Sequence, residues 1–419
     1  MNVKVYKSVL NGTIEIPSSK SQLHRAIICA GLSFGMVSYI KNVNICEDIK
    51  ATINAIIALG ASVHSYIDED TKKECLRIKG ISYRNIDRVV IDCQNSATTF
   101  RLFLSIVAVL GIETKFVLSK RLMERPFKHL TSELVRHGIE YEENKEECYI
   151  ISKGKVWCED FFISGDISSQ YISSLLISLP IIRRSSENSV KIYVTSKLES
   201  SYYVDLTIDV LSKFGVTIEK SKHGHIVPIN QKFSATNVIL EGDYSLGANF
   251  LVAKNINSPN LIIKNLDANS LQGDALILKI LNQLENEHKI LIDGSNCLDI
   301  VPILIVLGCY TNAEFEFVNV GRLKFKESNR LQAICESVNK MGGNICFTEN
   351  EIVVKGTEKL KGGVILSGYT DHRIIMALAI AGINCEEPIT ISGAEYVNKS
   401  FPEFWNELKR LGAKITIEE

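Results

Sequence analysis

The residues of this 419-residue chain best suited to chemistry are cations that open apolar helices. Lys20, Ser21 and Arg25 lie in Pro17-Ser-Ser-Lys-Ser-Gln-Leu-His-Arg25, which runs into the apolar stretch Ala26–Leu32 at helical spacing. Ser18 or Ser19 can cap that helix. Lys20 and Ser21 then fall at its first turn, where free N–H groups and the positive end of the dipole face outward. Arg25 follows Ser21 by four residues and can share its face. The set suits an anion, a phosphate above all. A plain cap with a solvated basic face is the simpler reading of this stretch alone.

Other segments carry the same mixture. Arg125, in the charged loop Ser119–Pro126, is either a ligand clamp or a solvated loop charge. In Gly321–Arg330, Lys326 stands four residues from both Arg322 and Arg330. Like charges stacked this way are unfavourable unless an anion bridges them. Glu327 among these cations is a candidate acid or base; a solvated helix start is the alternative. In Thr370-Asp-His-Arg373, Asp371 either caps a helix or orients His372 while Arg373 reaches a ligand. Asp299 is a cap in the simple reading and a general base in the sharper one. With Lys399 the candidates are seven cations and two carboxylates, without a metal-ligand pattern or a nucleotide-binding glycine motif. Such a set suits a metal-free reaction between two highly anionic small molecules, the cations neutralising charge and the carboxylates moving protons. Lys20 and Arg125 are expected to be exposed.

The elements that must position these residues repeat along the chain. An amphipathic helix, a glycine and an alternating strand recur around Gly60, Gly138, Gly215, Gly342 and Gly412, with a degenerate copy at Leu281–His288 that lacks the glycine. Six polar turns, each feeding about ten apolar residues, begin near Pro17, Asp92, Ser164, Glu241, Asn296 and Ser367. Three units precede a pause at Asn230–Asn237 and three follow it. The length holds two or three domains. A formal net charge of −1 gives no global attraction to nucleic acid. Eleven scattered cysteines without Cys-x-x-Cys spacing read as reduced core residues of a cytosolic protein. The N-terminus reads as a strand and not as a signal peptide, and the longest apolar runs are too short to span a bilayer.

Eight ordered motifs then resemble one family: Pro17-Ser-Ser-Lys-Ser with Arg25, Asn95-Ser-Ala-Thr-Thr-Phe-Arg101, Glu124-Arg-Pro126, Ser168-Ser-Gln170, Glu241-Gly-Asp243, Lys326-Glu-Ser-Asn-Arg330, Asp371-His-Arg373 and Lys399-Ser-Phe-Pro402. The chain resembles the 3-phosphoshikimate 1-carboxyvinyltransferases, the enolpyruvyl transferases also called 5-enolpyruvylshikimate-3-phosphate synthases. The resemblance implies an α/β (α+β) fold of two domains, each of three similar units in pseudo-threefold arrangement, with helix starts facing an interdomain cleft. It places residues 20–236 in the first domain, mainly on the shikimate 3-phosphate side. Residues 1–19 and 237–419 form the second, mainly on the phosphoenolpyruvate and catalytic side. The implied enzyme is a cytoplasmic monomer without cofactor or metal, acting on shikimate 3-phosphate and phosphoenolpyruvate. By position Asp299, Glu327 and Lys20 are catalytic. Lys20, Ser21, Arg25, Ser168, Ser169, Ser200, Tyr203, Asp299 and Lys326 would hold shikimate 3-phosphate. Lys20, Asn95, Ala97, Arg125, Gln170, Arg330, Arg373 and Lys399 would hold phosphoenolpyruvate.

Three departures from the family pattern matter. Ala97 replaces a usual glycine, and its methyl is expected to narrow the phosphoenolpyruvate pocket and disfavour longer mimics such as glyphosate. Asn329 replaces a usual aspartate, so an orienting charge is expected to be missing. Ser200-Ser-Tyr-Tyr203 replaces a Ser-Lys-Pro-Tyr pattern. The rival readings are the sister transferase acting on UDP-N-acetylglucosamine and a non-catalytic anion-binding relative. The sister family carries a cysteine in the loop that is cysteine-free here between Ser119 and Lys128.

Overall fold

A computed structural model describes residues 1–82, 86–157, 159–185 and 188–418. It divides into two compact units, residues 18–240 and residues 1–17 with 241–419. Each unit has its own apolar core.

The 18–240 unit contains three four-stranded sheets of one design. In each, a parallel pair is extended by an antiparallel hairpin. Arg88–Gln94 and Glu113–Leu118 run parallel, followed by Tyr149–Lys153 and Glu140–Asn144. Phe161–Ile163 and Ser189–Val194 begin a second sheet in the same way. In the third, the parallel partner of Val37–Lys41 is Asn237–Ile239, which the chain supplies last. Asn237–Ile239 therefore goes with this unit, and the division falls at 240/241 and not at the expected 236/237. At the other end the division falls at 17/18, against the expected 19/20.

The second unit repeats the design twice and truncates it once. Lys289–Asp293 and Glu314–Val318 head one full sheet. Ile365–Ser367 and Ile389–Ser392 head the other. Its third strand is Asn2–Val5, lying between Ile389–Ser392 and Ile415–Glu418. The remaining sheet has only Leu261–Lys264 and Gly12–Glu15. It belongs to the repeat that lacks the helix-ending glycine, and no hairpin follows there.

Each repeat opens on a buried helix: Lys20–Leu32, Ala97–Leu110, Ser169–Ser178, Tyr244–Ile256, Val301–Cys309 and His372–Gly382. Apolar residues on nearly every face of these helices suit burial on all sides. Five have a side-chain N-cap: Ser19, Ser96, Ser168, Asp243 and Asp371. Val301–Cys309 has none, and Pro302 opens its first turn. The amphipathic helices that follow end at Gly60, Gly138, Gly215, Gly342 and Gly412, all with φ between +76° and +103°. This left-handed turn is what a glycine allows at a helix end.

Candidate active site

In the 18–240 unit, Ser19 Oγ accepts from Gln22 N and starts the Lys20–Leu32 helix. Lys20 Nζ lies 2.7 Å from Asp48 Oδ2. The lysine side chain is only 15% exposed, so the expectation of an exposed Lys20 is corrected: the ion pair draws it against the unit. Sequence reasoning missed Asp48. Its signal was an acid in the first turn of Glu47–Ala58, which reads equally as dipole compensation.

Arg25 is buried. Nε donates to Thr207 Oγ1 at 2.7 Å and Nη1 to the Ser21 carbonyl at 2.8 Å. Nη2 reaches Ser173 Oγ and the Tyr203 carbonyl, both at 3.3 Å. All four acceptors are neutral. Burial therefore lowers its pKa to about 10, with no carboxylate among its hydrogen-bond partners. Its bonds tie together the Lys20–Leu32, Ser169–Ser178 and Tyr202–Lys213 helices.

Ser168 caps the Ser169–Ser178 helix, and Ser169 is buried in its first turn. Gln170 Oε1 accepts from Arg101 Nη1 at 2.9 Å, and Gln170 Nε2 donates to Thr98 Oγ1. Arg101 Nη2 and the Tyr171 hydroxyl each donate to the Pro126 carbonyl at 2.7 Å. The backbone just after Arg125 is thus clamped, while Arg125 itself is half-buried at the end of Lys120–Glu124. Arg101 joins Ser168, Gln170 and this loop, a role its place in the Asn95–Arg101 motif did not reveal. Asn95 is exposed, and Ala97 is the buried first residue of its helix, capped by Ser96. Ser200 is buried with φ +56°, a strained setting for a serine, three residues before the half-buried Tyr203.

In the second unit three carboxylates surround Arg330, which is 1% exposed. Nε donates to Asp371 Oδ2 at 2.8 Å, and Nη2 to Asp371 Oδ1 at 3.2 Å. Nη1 donates to Asp299 Oδ1 at 2.7 Å, and Nη2 to Glu327 Oε2 at 2.6 Å. Lys326 Nζ also meets Asp299 Oδ1, at 3.0 Å. Burial pushes the Asp299 carboxyl up, but Lys326, Arg330 and Arg373 outweigh it and hold the group well below the usual range. Burial is the largest influence on Lys326 and lowers its pKa despite Asp299. Burial lowers that of Arg330, but the three carboxylates together outweigh it and raise it.

This geometry decides several open readings. Asp299 does not cap Val301–Cys309; its carboxylate turns to the two cations. Asp371 caps its helix through Arg373 N and accepts from Ser328 and Arg330. Its Oδ1 lies 3.9 Å from His372 Nδ1, too far for a hydrogen bond, so orientation of His372 by Asp371 is corrected. Asn329 caps Arg330–Lys340 and exchanges a bond with Gln332 on the exposed side. An aspartate there would not face the Arg330 carboxylates, and the idea of a missing orienting charge is corrected too. Arg373 is 5% exposed, and its Nε and Nη1 have no hydrogen-bond partner among the described residues. A buried guanidinium in that condition is costly unless an anion completes it. Lys399 is buried at the end of Ala394–Lys399, which packs on the Arg373 helix.

The sequence profile of the family described as EPSP synthase (3-phosphoshikimate 1-carboxyvinyltransferase) matches residues 6–408. The chain belongs to this family. A 3-phosphoshikimate 1-carboxyvinyltransferase of Clostridium novyi is 39% identical over 433 residues, covering 99% of this chain and 98% of that one. The one from Clostridium acetobutylicum is 39% identical over 428 residues, with the same coverage. Two structures of EPSP synthase from Acinetobacter baumannii superpose with TM-scores of 0.79 and 0.80 at 20% identity. They cover 99% and 100% of this chain and all of theirs, which shows that the fold is that of an EPSP synthase. No helix among the described residues is long and apolar enough to cross a membrane.

Proposed function

We propose that this EPSP synthase family member transfers the enolpyruvyl group of phosphoenolpyruvate to the 5-hydroxyl of shikimate 3-phosphate and releases phosphate. The observation that carries this reading is one guanidinium, Arg330, holding Asp299 and Glu327 together. Two carboxylates fixed on one cation can serve a proton acceptor and a proton donor in one step. Asp299 takes the hydroxyl proton as the oxygen bonds to the enol carbon. Glu327 and Lys20 serve the methylene, which gains a proton, and the charges that develop. The tetrahedral intermediate then returns a methyl proton and expels phosphate by C–O cleavage. Lys326 and Arg330 keep Asp299 ionised but weakly basic. A substrate phosphate that engages Lys326 would release Asp299 from part of that field and strengthen it as a base.

Ser21, Arg25, Ser168, Ser169, Ser200, Tyr203 and Lys326 hold shikimate 3-phosphate in this reading. Asn95, Ala97, Arg125, Gln170, Arg373 and Lys399 hold phosphoenolpyruvate. Arg330 joins them mainly by fixing the carboxylates, since its bonds already run to Asp371, Asp299 and Glu327. The ten described cysteines are free thiols, which supports a reducing, cytoplasmic setting. We assign the enzyme as a monomer.

The deciding experiment is phosphate release from shikimate 3-phosphate and phosphoenolpyruvate. Release only with UDP-N-acetylglucosamine would move the chain to the sister activity. Binding without release would make it a non-catalytic relative.

A further inference from the structure

One buried carboxyl of the second unit has no part in the mechanism above. Asp274 is 4% exposed, in the short turn Gly273–Ala275. The turn is fixed to the start of the Tyr244–Ile256 helix. Gln272 Oε1 accepts from Tyr244 N at 3.0 Å, and Gln272 Nε2 donates to the Gly242 carbonyl at 2.8 Å. Asp274 itself accepts from Ser245 Oγ, and Ser245 is buried too. Among the described residues no cation forms an ion pair with Asp274. The charged and titratable groups that face it come from three other places: Asp243 beside Ser245, Cys297 and Asp299 from the turn before Val301–Cys309, and Arg373 from the His372–Gly382 helix. Two of these are the proposed base and the arginine whose Nε and Nη1 lack partners.

We infer that Asp274 is a positioning residue for the reaction, setting the charge felt by Arg373 and Asp299 through its own ionisation. The inference rests on the proposed roles of those two residues. Burial raises the Asp274 pKa most, Asp299 adds to this, and Ser245 and Arg373 pull it down, leaving it at about 7. Below that pH the group is a neutral acid, and Arg373 keeps its full attraction for phosphoenolpyruvate. Above it the new negative charge offsets Arg373 and weakens that hold. The same charge raises the proton affinity of Asp299 and makes it a stronger base. KM for phosphoenolpyruvate and kcat should therefore rise together as pH passes through neutrality, each roughly three- to tenfold between about pH 6 and about pH 8.

The test is the pH dependence of kcat and of KM for phosphoenolpyruvate in the full chain, with Asp274→Asn and Ser245→Ala. Asparagine keeps the acceptor for Ser245 but cannot ionise, so the rise due to this group should be missing from its profiles. Loss of the Ser245 hydroxyl removes a bond that favours the carboxylate, so Ser245→Ala should move the inflection to higher pH. A carboxyl carbon resonance titrating near neutrality, absent from Asp274→Asn, reads the same group without turnover. Profiles of Asp274→Asn that superpose on the unaltered chain, or an inflection unmoved by Ser245→Ala, would overturn the inference. Should the asparagine variant fail to fold, Ser245→Ala and the resonance of the unaltered chain decide it. An unaltered chain that releases no phosphate overturns the proposed function instead, while the resonance still reports on Asp274.

Discussion

Arg25, in the second turn of its helix, and Arg330, the first residue of its own, are both buried, and they differ in what surrounds them. Arg25 donates to hydroxyls and carbonyls. Arg330 donates to three carboxylates. The first arrangement leaves a positive charge uncancelled, which is what a binding site for an anion requires. The second holds three carboxylates close together and helps keep Asp299 ionised, which is what a proton acceptor requires. In the proposed reading the same buried residue type thus serves two tasks, and the neighbouring side chains decide which.

Removing each arginine separates the two cases. Arg330→Met should abolish turnover and cost about 3–5 kcal/mol of stability, because the buried Asp371 and the partly buried Asp299 and Glu327 lose their shared cation. Arg25→Met should cost less, about 1–3 kcal/mol, because only neutral acceptors are left unpaired. Urea unfolding midpoints give the order, and a larger loss at Arg25 would break the contrast. Next in size is the proton chemistry. Asp299→Asn should lower kcat by about 10²–10⁴ with the fold intact, while Glu327→Gln should remove one limb of the pH–rate profile.

Acid should also tell the two regions apart. The Asp299 pKa is depressed in the folded chain. Its contribution to stability is therefore present above the ordinary carboxylate range, near pH 4, and is lost as pH falls through the lower folded value. Among the described residues the hydrogen-bond partners of Arg25 are all neutral. Amide exchange in Arg330–Lys340 should accelerate on acidification earlier than in Lys20–Leu32. The reverse order would sink the assignment.

Two smaller effects concern single positions. Ala97→Gly should leave the fold in place and tighten inhibition by glyphosate, and equal inhibition of both proteins would remove Ala97 from that role. Asn329→Asp should change stability by less than about 0.5 kcal/mol and leave kcat unchanged, because both residues cap well and this one faces away from the carboxylates.

Much of this was legible in the sequence because the repeat is written in local signals. Glycines at helix ends and serines at helix starts act over a few residues and need no tertiary information. The side-chain partners were not legible. Asp299 reads as a cap from its neighbours, and only Lys326 and Arg330, about thirty residues on, turn it elsewhere. Asp48 is twenty-eight residues from Lys20 and looks like any acid in a first helical turn. The missing glycine of the fourth copy was legible, but the truncation of its sheet was not. That Gly12–Glu15 completes its sheet is a long-range pairing that no local pattern encodes.

The strand Asn2–Val5 lies between Ile389–Ser392 and Ile415–Glu418. It leaves the ribosome long before either of its partner strands is made. The unit of residues 18–240 can close while synthesis continues, whereas the one that receives this strand cannot finish until Ile415–Glu418 has emerged. Loss of Ile415–Glu418 would therefore bare one edge of a strand more than four hundred positions away in sequence.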